Sequence, residues 1–123
     1  MEKEFVPYQP SLDMRELGFD EACFGCYGNQ NDLWYENPIN GILDIPEDNT
    51  LAPLYSQAFR WFREKYRLDA IINVGELGYH ANIIDRRGKF KQIEITPEVR
   101  EYVYEEAELA CLKKLIEIVK EKK

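Results

Sequence analysis

Two cysteines, Cys23 and Cys26, stand in a C-x-x-C spacing within "ELGFDEACFGCYGNQ". A pair so spaced holds a metal when two further ligands join it. It exchanges thiol for disulfide when it sits at a helix N-terminus after a strand. The remaining ligand candidates are Cys111 and His80, the one histidine of the chain. Cys111 falls on an apolar helical stripe, where burial is the simpler account. Cys23 and Cys26 fall in a segment that reads as a strand. Residues three apart in a strand face opposite sides, so their sulfurs diverge. The expectation is structural cysteine with no metal and no cofactor; the alternative is a small enzyme or metal-binding domain using Cys23, Cys26, His80 or Glu108. His80, beside Tyr79 and Asn82 with no acid at motif spacing, reads as a surface or half-buried strand residue. Glu108 falls inside the apolar arc of the last helix, between Tyr104 and Cys111 on one side and Leu112 on the other. A carboxylate there must pair, shift its pKa or reach solvent. It is an acid in a cleft or a rim residue. Gly75-Glu76-Leu77-Gly78 lacks the spacing and lysine of a phosphate loop, and neither G-x-S-x-G nor H-E-x-x-H occurs. No catalytic residue is assigned.

The elements that carry these residues follow from periodicity and punctuation. A short helix is expected over Ser11–Leu17, capped by Ser11 and ended by Gly18, with Phe19 folding back. Ala22–Tyr27 and Leu33–Tyr35 read as strands joined by a loop of turn formers. Glu36–Thr50 is too broken for either regular element, and Ile39, Ile42, Leu43 and Ile45 pin it as an ordered loop. Thr50 caps a helix over 53–66, with Pro53 in its first turn and an apolar stripe from Leu54 to Tyr66. Trp61 sits at the edge of that stripe and, if exposed beside Arg60, forms a contact patch. Ile71–Val74, Tyr79–Asp85 and Phe90–Ile95 read as hairpin strands, with a tight turn at Arg86-Arg87-Gly88. Thr96 and Pro97 open a last helix over 97–120, acidic early and basic late, as the helix dipole favours. Its stripe is Tyr104, Ala107, Cys111, Leu115, Ile118 and Val119.

These elements predict one α+β domain over residues 1–123. Its antiparallel sheet of four to five strands packs one face against the two main helices, and the short N-terminal helix covers an edge. The chain of 123 residues is long enough to bury a core without staples. Its net charge of −7, from 23 acids against 16 bases, argues against direct binding of nucleic acid. Only Arg60–Arg67 and Arg86–Lys91 are dense enough in cations to form a local basic patch. No stretch is apolar enough to span a bilayer and no secretion signal is legible, so no membrane role is expected. An odd number of cysteines fits a reducing compartment, and a cytoplasmic location is the expectation.

The stretches "ELGFDEACFGCY" and "LAPLYSQAFRWFREKY" resemble a group of small proteins with no assigned function. These are encoded in phage-like and other mobile elements of gut bacteria. The matching residues are Leu17, Gly18, Phe19, Asp20, Glu21, Cys23 and Phe24, and then Ala52, Pro53, Gln57, Ala58, Trp61 and Arg63-Glu64-Lys65. The resemblance spans most of the chain. It implies an α+β domain of mobile-element origin and implies no activity. Cys26 stands where the group's pattern has an aromatic or variable residue, which weakens a shared C-x-x-C chemistry.

The function expected is a non-enzymatic accessory or interaction domain with an unknown protein partner. Its surfaces would be the aromatic strand at Trp34 and Tyr35, the acidic face of the last helix, and Trp61 and His80. An acidic DNA mimic, or modulator of a nucleic-acid-binding protein, is the alternative from a second class.

Overall fold

The computed structural model describes residues 2–28, 32–35, 50–76, 78–95 and 103–121. The chain falls into two compact units, 1–58 and 59–123.

In the first unit, helix α1 (Tyr8–Glu16) follows Pro7, whose φ of −60° and extended ψ make it the residue before the helix. The helix therefore begins three residues before Ser11. Ser11 is no cap: it is buried and its hydroxyl donates to the Val6 carbonyl at 3.1 Å. The other end is as the sequence indicates. Gly18 takes a φ of 102°, and its N–H and that of Phe19 return to the Arg15 and Met14 carbonyls. Met14, Leu17 and Phe19 are all buried. Gly18→Ala is expected to cost about 1 kcal/mol or more, because an added Cβ is strained at that φ. Urea unfolding measures it, and an unchanged midpoint would contradict the turn.

Three short strands, β1 (Gly25–Tyr27), β2 (Leu33–Tyr35) and β3 (Thr50–Ala52), form an antiparallel sheet in the order β2-β1-β3. β1 thus covers only the second half of the expected strand; Phe24 is a bend and Cys23 an isolated bridge. Thr50 is a second correction. It pairs with Tyr27 across the sheet and is buried, so it belongs to a strand and not to a helix cap. Phe5, Tyr27 and Ala52 form a small core against which Tyr8, Leu33 and Leu54 pack. The Tyr27 hydroxyl donates to the Val6 carbonyl at 2.7 Å, and the Tyr8 and Tyr27 rings meet edge to face. α1 packs on β3, an edge strand.

Helix α2 (Tyr55–Tyr66) begins after Pro53 and buries Tyr55, Ala58, Trp61 and Phe62. Arg67 ends it at a φ of 58°. The second unit then forms a meander of β4 (Leu68–Val74), β5 (Tyr79–Asp85) and β6 (Lys91–Ile95), antiparallel throughout. The expected single sheet of four to five strands is therefore replaced by two three-stranded sheets. The α+β class stands. Alternation puts Ala81 and Ile83 on the buried face of β5, and helix α3 (Tyr104–Glu121) packs across β5 and β4. Ala107, Cys111, Leu112, Leu115 and Val119 are buried along it, as a 3.6-residue period requires. The expected cap at Thr96 and Pro97 and the loop at Glu36–Asn49 lie outside the described residues. Among the described residues no helix is long and apolar enough to cross a membrane.

Candidate functional site

The C-x-x-C segment is not the regular strand that the sequence indicates. The bend at Phe24 breaks the alternation, and both Cys23 and Cys26 are buried. Cys23 donates its thiol hydrogen to the Glu21 carbonyl at 3.3 Å. Gln57, from the first turns of α2, donates to the Ala22 carbonyl at 2.8 Å and holds this segment against the helix. Burial pushes the Cys23 thiol up to about 12. The Glu21 charge and Cys26 push the same way, and the hydrogen bond from Gln57 opposes them. A reactive or metal-ligating cysteine needs the opposite shift, since the thiolate is the nucleophile and ligand. Cys111 is pushed up to about 12 as well, by burial first and then by the Glu108 charge. No disulfide joins any of the three cysteines. Among the described residues no three His, Cys, Asp or Glu side chains come together as a metal-binding group.

His80 and Glu108 belong to the second unit, on opposite sides of its sheet. Tyr79 turns toward α3, where its ring meets Tyr104 edge to face at 5.2 Å. Its neighbour His80, paired with Asn73, therefore lies on the other face. Glu108 is a half-buried residue one turn beyond Tyr104 and one turn before Cys111. Its charge raises the pKa of both, second to burial in each case. That is a half-buried position between two protonated neighbours, on the opposite side of the sheet from His80.

The expected contact residues fare differently. Trp61 is 5% exposed and stacks edge to face on Phe62 and Tyr66, so the condition for a Trp61 patch is not met. Lys65 covers its ring at 5.0 Å. The backbones of Trp34 and Tyr35 form β2, an edge strand, opposite Cys26 and Gly25; their side chains lie outside the described residues.

An apolar surface that the sequence does not single out stands at one end of the second sheet. Val74, the last residue of β4, is 72% exposed and pairs with Tyr79. Tyr79 stacks on Tyr104, which is 45% exposed, and Val103 beside it is 54% exposed. Strand pairing and ring stacking thus join Val74, Tyr79 and Tyr104, from three elements, into one patch, and Val103 adjoins it in the chain. Glu106 accepts the Val103 N–H at 2.9 Å and fixes the start of α3. Glu105 and Glu108 lie close enough to act on Tyr104, and Glu76 follows Val74 by two residues, so carboxylates border the patch. Burial and the nearby Glu108, Tyr79 and Glu105 charges raise the Tyr104 pKa, so its hydroxyl is neutral at physiological pH. The one legible signal was a valine closing a strand just before Gly75. Tyr104 instead read as a core-stripe residue, because a helical wheel does not show where the sheet beneath it ends. A scan against protein-family models, a search of the curated proteins and a search of the solved structures each return no match.

Proposed function

We propose that this chain is a non-enzymatic interaction domain, an accessory protein of mobile-element origin, that binds a protein partner through the Val74–Tyr79–Tyr104 patch. The observation that carries the reading is that patch: large apolar side chains lie exposed and contiguous on regular elements, rimmed by carboxylates. Buried aromatic and aliphatic anchors with a polar rim supply most of the energy of protein interfaces. The rim charge favours a partner with basic residues around an apolar centre. The protonated state of Cys23 and Cys111 supports the same reading, since neither is available as a nucleophile at neutral pH.

Capture from lysate of the native host tests it, with wild-type chain and Val74→Asp immobilised side by side. Val74 is exposed, so the fold survives the change, which circular dichroism verifies. A protein held by wild type and weakened at least about tenfold by Val74→Asp supports the assignment. Equal capture by both chains, or none by either, overturns it.

A further inference from the structure

The second unit carries opposite character at the two ends of its β4–β5 hairpin. At the end away from Val74, the backbone N–H of Arg86 donates to the Arg67 carbonyl at 3.0 Å. This bond joins the two basic stretches of the chain at one place. Arg86 pairs with Asp69, and Arg87 grips Asp85 with two parallel bonds at 2.9 and 3.0 Å. Arg67, Lys89 and Lys91 are exposed and form no ion pair with any described residue. Phe90 stands between Lys89 and Lys91 and is 74% exposed, although it is large and apolar. The basic end thus carries an exposed aromatic knob flanked by cations, and the other end is an apolar patch bordered by carboxylates. β5 has seven residues, so about 20 Å separates the two ends. They cannot meet within one chain.

We propose that a second copy of this chain is a ligand of the patch: Phe90 of one copy docks on Val74 and Tyr104 of the next. Arg67, Lys89 and Lys91 then face Glu76, Glu105 and Glu108. This rests on the reading of the patch as an interaction surface and names one partner for it. The two contact surfaces differ, so the contact is heterologous and the pair keeps one free patch and one free knob. Association continues past the dimer into open chains or closes into a ring. The contact is small, and each chain carries a net charge of −7. The affinity is accordingly modest, on the order of 10–100 μM. At physiological salt the like net charges are screened beyond about 8 Å, and the local opposite charges decide the approach. A polyanion such as single-stranded nucleic acid is the other occupant that a basic aromatic tip could take. The acidic net charge disfavours it, and it has no use for the complementary patch.

Sedimentation velocity over a protein series from low micromolar to near millimolar tests the proposal. It uses wild type, the knob variant Phe90→Ser/Lys89→Glu and the patch variant Val74→Asp. Wild type is expected to grow past the dimer with concentration, and less so in high salt. Each variant alone should associate at least about tenfold more weakly. Mixing the two variants should restore one contact and stop at two chains, since each lacks the opposite surface. Wild type that stays monomeric throughout overturns the proposal, as does association that the knob variant leaves intact. Phe90-dependent binding of an oligo-dT probe without self-association also overturns it and reassigns the tip. The interaction-domain reading is judged separately. The knob variant keeps the patch, so it retains the lysate partner even if self-association fails.

Discussion

Phe62→Ala is expected to lower the stability of the chain by about 3–5 kcal/mol, the usual cost of emptying a fully buried phenylalanine site. Phe62 has no exposed surface, and its ring lies 5.0 Å from that of Trp61 and 5.9 Å from that of Tyr66. Truncation loses the transfer free energy of the ring, leaves a cavity, and removes the surface on which both neighbours rest. Domains of this size are stable by only about 5–15 kcal/mol, so the loss is a large share of the total. Phe90→Ala is the control. Phe90 is also an aromatic residue of the second unit, but it is mostly in solvent. Its truncation is expected to change stability by less than about 0.5 kcal/mol. Urea midpoints of the two variants decide the matter. Equal shifts would mean that burial has been assigned to the wrong phenylalanine.

Alkaline pH is the second strong lever. The thiols of Cys23 and Cys111 are raised from the ordinary 9.0 to about 12 in the folded chain. Below pH 9 both are protonated whether the chain is folded or not, and they contribute no pH dependence. Between 9 and about 12 the unfolded chain releases these protons first, so the folded state binds more protons and stability falls as pH rises. Each thiol contributes about 1 kcal/mol of loss in the first pH unit of that window and about 1.4 kcal/mol per unit in its middle. The double variant Cys23→Ala/Cys111→Ala removes both contributions and leaves the tyrosines and lysines to titrate as before. The gap between the two chains is therefore expected to close by about 2 kcal/mol from pH 9 to pH 10. Denaturant unfolding at the two values measures it. Parallel loss in both chains would show that the thiols are more open to solvent than the folded structure has them.

Both results depend on features with different degrees of legibility. The hairpin strand Tyr79–Asp85, the strand expected at Phe90–Ile95 and found at Lys91–Ile95, the Gly18 turn and the α3 stripe from Ala107 onward are readable from residue order. Each is governed by contacts within a few positions: alternation along a strand, a left-handed glycine, a 3.6-residue repeat. The burial of Cys111 follows from the last of these. Thr50 shows where such reasoning stops. A threonine ahead of a helical stripe has the propensity of a cap, but Tyr27, distant in sequence, offers it a strand partner. Backbone pairing with β1 wins because it also buries the side chain. Trp61 is similar: its place at the edge of a stripe left exposure open, and packing closed it.

What the order of residues determined by itself is the α+β class, the kinds of most elements and the buried nature of the cysteines. These depend on local periods and on the cost of leaving apolar groups in water. Tertiary structure alone decided that the strands divide into two three-stranded sheets, because which strands pair is a long-range choice that strand propensity does not encode. It also decided that Tyr79 meets Tyr104 beside Val74, and that the Arg86 backbone meets that of Arg67. Each of those contacts joins residues from separate elements, and only their packing brings the side chains onto one surface.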